Sequence, residues 1–216
     1  NDVTIFEAFM YLHHPQTERA RSLIREGRLG TVKLINSWFS FYLPPENRDN
    51  IRLSAELHGG AMWDVGVYPN SMAITMAMAG QPVEVWAQQV IGETGVDVQL
   101  IGQMRFQNGV TAQIATGFRM TFRQGAVIVG DDALLEIPDP WKPGVEGEDT
   151  HLILDPRDGK AETLVIPAID PYLCEVQAME ACVLDGAEPI VPLERSRQFL
   201  RSALALHASA RSGEPV

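Results

Sequence analysis

An aspartate and a tyrosine four residues apart, Asp64 and Tyr68, follow two adjacent glycines in the stretch HGGAMWDVGVYPN, residues 58–70. Adjacent glycines let a backbone turn tightly and come close to a ligand, which makes Gly60 a candidate binding position. On a helix that starts after them, residues four apart share a face, so the carboxylate and the phenol can reach one small molecule. Such a pair suits acid/base work: one group orients a hydroxyl and the other exchanges its proton. An isolated phenol titrates at about pH 10, so work near neutrality requires a cation beside it.

Further candidates flank the pair. Arg52 sits in the polar segment of residues 43–57, rich in Pro, Asn and Asp, which is either a functional lid or a solvated connector. A guanidinium there would bind hydroxyls, a carboxylate or a phosphate. Asn70 closes the stretch with no distinct role. His13, His14, His58 and Asp64 are residue types that zinc prefers. Residues 3–11 (VTIFEAFMY) read as a buried strand, although a run this short also fits a helix by periodicity alone, and adjacent histidines continuing a strand would point to opposite faces. No H-x-x-x-H or C-x-x-C pair is present, so a metal centre is disfavoured.

The elements that must position these groups alternate and then change character. Pro15 and the spacing of Ala20, Leu23 and Ile24 predict a helix over 17–26, stopped at Gly27. Residues 31–41 are β-branched and aromatic and predict a strand. The acid/base stretch continues through Met72 and Met76 as a helix to Gly80, its methionines serving as packing. Strands are expected at 83–91, 98–106, 110–117, 125–129, 133–137, 151–154 and 162–166, with Asn108-Gly109 and Asp158-Gly159 as hairpin turns. Helices over 172–184 and 193–211 close the chain. This order describes one α+β domain: a large, mostly antiparallel open-faced sheet with helices packed on one face.

Composition narrows the partners. The 216 residues are 45% hydrophobic and carry 17 basic against 28 acidic residues, a net charge of -11 that disfavours nucleic acid and anionic membranes. Cys174 and Cys182 lie eight residues apart in a predicted helix. That is about 12 Å along the axis, too far for a disulfide. Two thiols and no span of apolar residues long enough for a membrane point to the cytoplasm. The chain begins at Asn1 without Met and enters a strand-like segment at once, which is expected of a cut rather than a natural start.

EAFMYLHHPQ (7–16), GRLGTVKLI (27–35), DNIRL (49–53) and GGAMWDVGVYP (59–69) occur in order, with GDDALLEIPDPW at 130–141. Together they resemble the C-terminal domain of the glucose-fructose oxidoreductase/inositol dehydrogenase/rhizopine-catabolism (Gfo/Idh/MocA) family, in the branch of D-xylose and dimeric dihydrodiol dehydrogenases. The resemblance implies that residues 1–216 form the substrate-binding and dimerisation domain of a two-domain enzyme. Its reaction would be NAD- or NADP-dependent oxidation or reduction of a sugar, sugar derivative or cyclic diol.

In that scheme Tyr68 exchanges the proton of the substrate hydroxyl. Asp64 binds the hydroxyl or orients Tyr68, and a lysine of a Glu-Lys-Pro segment upstream of Asn1 supplies the cation. His14 lines the same cleft, although Leu12-His13 stand where the family has Arg-Phe. Arg52 contacts substrate or a cofactor 2'-phosphate. No G-x-G-x-x-G occurs, so the dinucleotide-binding (Rossmann) domain is expected to be absent here. This chain alone is then expected to bind no cofactor, to be inactive, and to associate as a homo-oligomer through its sheet face. A non-catalytic, sheet-mediated binding or assembly module is the competing reading.

Overall fold

Period-two alternation predicts strands from residue 83 onward, and strands form there. In the structure, a computed structural model that describes residues 3–216, they are β2 (Glu84–Ile91), β3 (Asp97–Arg105), β4 (Thr111–Gly117), β5 (Arg119–Gly130), β6 (Ala133–Ile137), β7 (Thr150–Pro156) and β8 (Glu162–Ile166). Before them come helices α1 (Met10–His13) and α2 (Pro15–Arg25), strand β1 (Val32–Tyr42), a π turn (Met62–Gly66) and helix α3 (Val67–Ala77). Helices α4 (Pro171–Leu184) and α5 (Leu193–Ser212) follow. The fold is α+β, and the described strands order as β2-β3-β4-β1-β5-β6-β7-β8 in one mostly antiparallel sheet. Among the described residues no helix is long and apolar enough to cross a membrane.

The chain divides into two compact units, 1–32 with 129–198 and 33–128 with 199–216. In the first, β6, β7 and β8 form antiparallel ladders, with Leu135 opposite Leu154 and Leu152 opposite Leu164. Its core holds Tyr11 edge-on to Trp141, with ring centroids 5.4 Å apart, and Leu23, Leu29 and Leu152, all fully buried. Gln16 at the start of α2 donates to the Asp139 carbonyl at 2.8 Å.

In the second unit β1 pairs with β4 in parallel, Ser37 opposite Ile114, while β2–β3 and β3–β4 are antiparallel. Ala87, Leu100, Gly102, Ile114 and Thr116 share its covered face, because cross-strand partners point the same way. Gly102 admits α5: a Cβ there would lie 2.7 Å from Leu206. The helix from the π turn to α3 lies on β4, where Gly66 leaves room for Thr116. Residues 69–77 are buried all round, including Met72 and Met76, as expected of a helix without a polar face. The edge of β2 is partly covered by Val216, which exchanges two backbone hydrogen bonds with Val85.

The expected first strand does not form. Residues 3–9 have no regular structure, Val3 and Ile5 are exposed, and a helical turn, α1, starts at Met10. Phe9, Met10, Tyr11 and Leu12 are all buried, so the apolar run records burial on every side rather than a sheet face. His13 therefore sits on α1, and His14 caps α2. The start at Asn1 lies outside the described residues. Strand β5 begins six residues earlier than 125, through RMTFRQ, whose Arg123 stacks over the Trp38 ring at 4.5 Å.

Candidate active site

Two backbone fits define the glycine turn in the second unit. Asn50 caps the short helical turn Ile51–Leu53 by accepting from the Arg52 amide at 3.0 Å. Gly60 then donates to the Arg52 carbonyl at 2.9 Å, and a Cβ on Gly59 would lie 2.5 Å from that same oxygen. Gly60 has φ +126°, and a Cβ on it would lie 2.2 Å from Asp97 Oδ1. Asp97, buried at the start of β3, accepts from the Met62 amide at 2.8 Å. A carboxylate thus fills the N-terminus of the acid/base helix.

From Met62 to Gly66 that helix is wound as a π turn before continuing as α3. Four residues fall just short of one π turn and just past one α turn, so the shared face survives the change of winding. Trp63, Asp64, Val67 and Tyr68 are half-buried while their neighbours Ala61, Met62, Val65, Gly66, Pro69 and Asn70 are buried. The carboxylate and the phenol lie on this accessible stripe, the arrangement their spacing suggests.

Arg52 joins the pair. Its Nε donates to Asp64 Oδ2 at 2.7 Å in an ion pair with side chains 40% and 25% exposed. Phe39 from β1 meets the Tyr68 ring edge-on at 5.7 Å, and the exposed Phe122 meets Phe39 edge-on at 6.4 Å. An aromatic wall therefore flanks the phenol, with a guanidinium–carboxylate pair on the same helix face. A phenol, a carboxylate and a cation can bind a hydroxyl and move its proton.

Asn70 is buried and donates through Nδ2 to the Phe199 carbonyl at 3.0 Å in the same unit. His58 is exposed, with φ 54°. His14 lies in the first unit and is wholly buried. Its Nδ1 accepts from the Gln16 amide at 3.1 Å, and its Nε2 donates to the Ile169 carbonyl at 3.2 Å. Nδ1 thereby caps α2, and Nε2 ties the ring to the segment before α4, so both nitrogens are engaged within the first unit.

Two groups escape the sequence reading. His207 on α5 is buried, faces the Trp63 ring at 5.3 Å and contacts Gln89 Oε1 through Nδ1 at 3.3 Å. Burial pushes Asp97 above its ordinary 3.8, against the Met62 amide and the His207 charge, which act to lower it. Burial also lowers His207, with Asp97 opposing and Arg211 assisting. A lone aspartate 33 residues beyond Asp64 carries no local signal of this role.

The buried histidines set a pH dependence. Burial holds His13, His14 and His207 below the ordinary 6.5, so below pH 6.5 the unfolded chain binds protons that the folded chain refuses. Stability is therefore present above pH 6.5 and is lost as pH falls toward the folded values. Asp97 acts oppositely at lower pH, where the folded state holds its proton more tightly. The chain should therefore unfold in less urea at about pH 5.5 than at about pH 7.5. Urea midpoints at about pH 7.5 and 5.5 measure it, and equal midpoints would exclude it.

A family model described as the GFO/IDH/MocA C-terminal domain matches residues 17–136. D-xylose 1-dehydrogenase (NADP(+)) 2 of Haloferax volcanii is 34% identical over 217 residues, covering 99% of this chain and 64% of that protein. Trans-1,2-dihydrobenzene-1,2-diol dehydrogenase of Xenopus tropicalis is 30% identical, covering 74% of this chain and 46% of that protein. Among solved structures, KijD10, a 3-ketoreductase from Actinomadura kijaniata in complex with NADP and TDP-benzene, has a TM-score of 0.80 at 26% identity, covering 96% of this chain and 62% of that one. The chain spans less than two thirds of the length of each of these relatives. Because the family model covers more than half of the chain, the chain belongs to the GFO/IDH/MocA family and carries its C-terminal domain.

Proposed function

We propose that residues 1–216 are the substrate-binding and acid/base half of an NAD(P)-dependent oxidoreductase acting on a sugar, a sugar derivative or a cyclic diol. The observation that carries this reading is the accessible stripe bearing Asp64 and Tyr68, with Arg52 ion-paired to Asp64 at 2.7 Å. The relatives named above, a xylose dehydrogenase, a dihydrodiol dehydrogenase and a ketoreductase, support the substrate class.

The chemistry of the residues present follows from their charges. Tyr68 takes the proton of the substrate hydroxyl during oxidation and returns it during reduction. An unpaired carboxylate four residues away would oppose a phenolate, and the Arg52 guanidinium offsets that charge. Asp64 is left to accept from a substrate hydroxyl while staying fixed. Phe39 and Phe122 offer a flat apolar wall to the carbon face of a sugar ring.

The glycine turn does not fit a dinucleotide. The helix N-terminus behind it, where a pyrophosphate would bind, already holds the Asp97 carboxylate, and the space beside Gly59 holds the Arg52 carbonyl. A nicotinamide nucleotide held by residues outside this chain would supply hydride transfer. We further propose that two copies associate through the uncovered sheet face of the second unit, where Ile101 is exposed; a monomer in sedimentation would contradict this.

The test is turnover. A protein carrying this chain together with a dinucleotide-binding domain should change NAD(P)H absorbance with at least one member of a panel of aldoses, keto sugars and trans-diols. Silence with both nucleotides across the panel overturns the reading in favour of a binding module.

A further inference from the structure

We propose that Asp97 is a positioning residue for the acid/base helix, holding the Met62 amide so that the π turn, and with it the direction of Asp64 relative to Tyr68, is fixed from the sheet. Its kinetic consequence rests on the acid/base reading of Asp64 and Tyr68; its structural consequence does not.

The first amides of any helix lack intrahelical partners, and a π turn forms less readily than an α turn. Here the partner comes from outside the helix. Asp97 opens β3 opposite Ile91 of β2, so its backbone is anchored in the sheet. One carboxylate oxygen accepts from the Met62 amide at 2.8 Å. The other oxygen occupies the space where a Cβ on Gly60 would stand, 2.2 Å away. Only glycine at 60 leaves room for the acceptor, and its φ of +126° favours glycine as well.

A second brace on the same helix comes from α5. His207 faces Trp63, the residue before Asp64, and its buried Nε2 has no hydrogen-bond partner. Buried Asp97 at the helix start and buried His207 against the Trp63 ring therefore brace the helix behind the stripe that carries the chemistry. If the bracing failed, the π turn would reset to α winding. That turns Met62 at its start by about 90–100° around the axis relative to Tyr68, and Asp64, two residues on, by about half as much, so the pair keeps its face but changes its angle.

Asp97→Asn is the discriminating variant. Asparagine keeps the size and one acceptor oxygen but presents an N–H₂ donor where the carboxylate has its second acceptor. In this chain, amide exchange across Ala61–Gly66 should accelerate by about tenfold while β3 and β4 keep their protection. Gly60→Ala, which displaces the carboxylate, should reproduce that local pattern. In the longer oxidoreductase, Asp97→Asn should lower kcat by about tenfold with KM little changed. Unchanged exchange across 61–66, or acceleration spread evenly over the chain, overturns the proposal. Absence of turnover in the unsubstituted enzyme would overturn the acid/base reading instead, and the exchange pattern still decides the role of Asp97.

Discussion

Tyr68→Phe, placed in a protein that joins this chain to a dinucleotide-binding domain, lowers kcat by about 10²–10⁴-fold, the usual contribution of a positioned proton-transfer group. The effect is on chemistry because the substitution leaves packing alone. Tyr68 is half-buried and meets Phe39 edge-on, a contact made by the ring and retained by phenylalanine. The thermal midpoint should therefore match that of the unsubstituted protein. What disappears is the phenolic hydroxyl on the accessible stripe, while Asp64 stays ion-paired with Arg52. Asp64 cannot stand in for it, because its carboxylate is tied to Arg52 Nε at 2.7 Å. Initial rates from nicotinamide absorbance measure the loss. A rate within about threefold of the parent would remove Tyr68 from the mechanism and leave proton exchange to solvent.

The legible part of this site is the part written in local spacing. Residues four apart share a face under either winding, so Asp64 and Tyr68 are readable as a pair even though the π turn is not foreseen. The hairpin signals are equally local: Asn108-Gly109 joins β3 to β4, with Gly109 at φ +86°, and Asp158-Gly159 joins β7 to β8.

What local signals cannot carry is partnership across the chain. The parallel pairing of β1 with β4 joins strands separated by two others in sequence, and no turn announces it. Asp97 belongs to the site through a contact to Met62 that spans 35 residues, and by itself it reads as a hairpin-end aspartate. Arg52 is the intermediate case. Its type suggests anion binding, and the structure pairs it with the site's own carboxylate. Residues 3–11 failed for a different reason. Their apolar run has no clear period of either kind: residues 3–8 stay largely exposed without a partner strand among the described residues, and burial begins only at Phe9, where the helical turn follows.

Gly59→Ala is expected to destabilise the second unit by about 2–3 kcal/mol, an overpacking cost, and to lower kcat/KM by about 10²-fold in the longer enzyme. The obstacle is backbone, not a side chain that can swing away. A Cβ on Gly59 would stand 2.5 Å from the Arg52 carbonyl oxygen, 2.7 Å from its carbon and 2.8 Å from the Ile51 oxygen. Two movements can relieve this. If the Ile51–Leu53 turn withdraws, it pulls Leu53 out of the cluster that it forms with Leu43, Ala61, Val65 and Phe118, and it lifts Arg52 off Asp64. If the glycine pair withdraws instead, the bond from the Gly60 amide to the Arg52 carbonyl breaks and the helix start moves with it. Either route separates the guanidinium from the carboxylate that it neutralises, so the stability loss and the kinetic loss have one cause. Denaturant unfolding of this chain measures the first and steady-state kinetics the second. A variant that unfolds at the parental midpoint would show that the turn is softer than its contacts imply, and the link from Arg52 geometry to catalysis would fall with it.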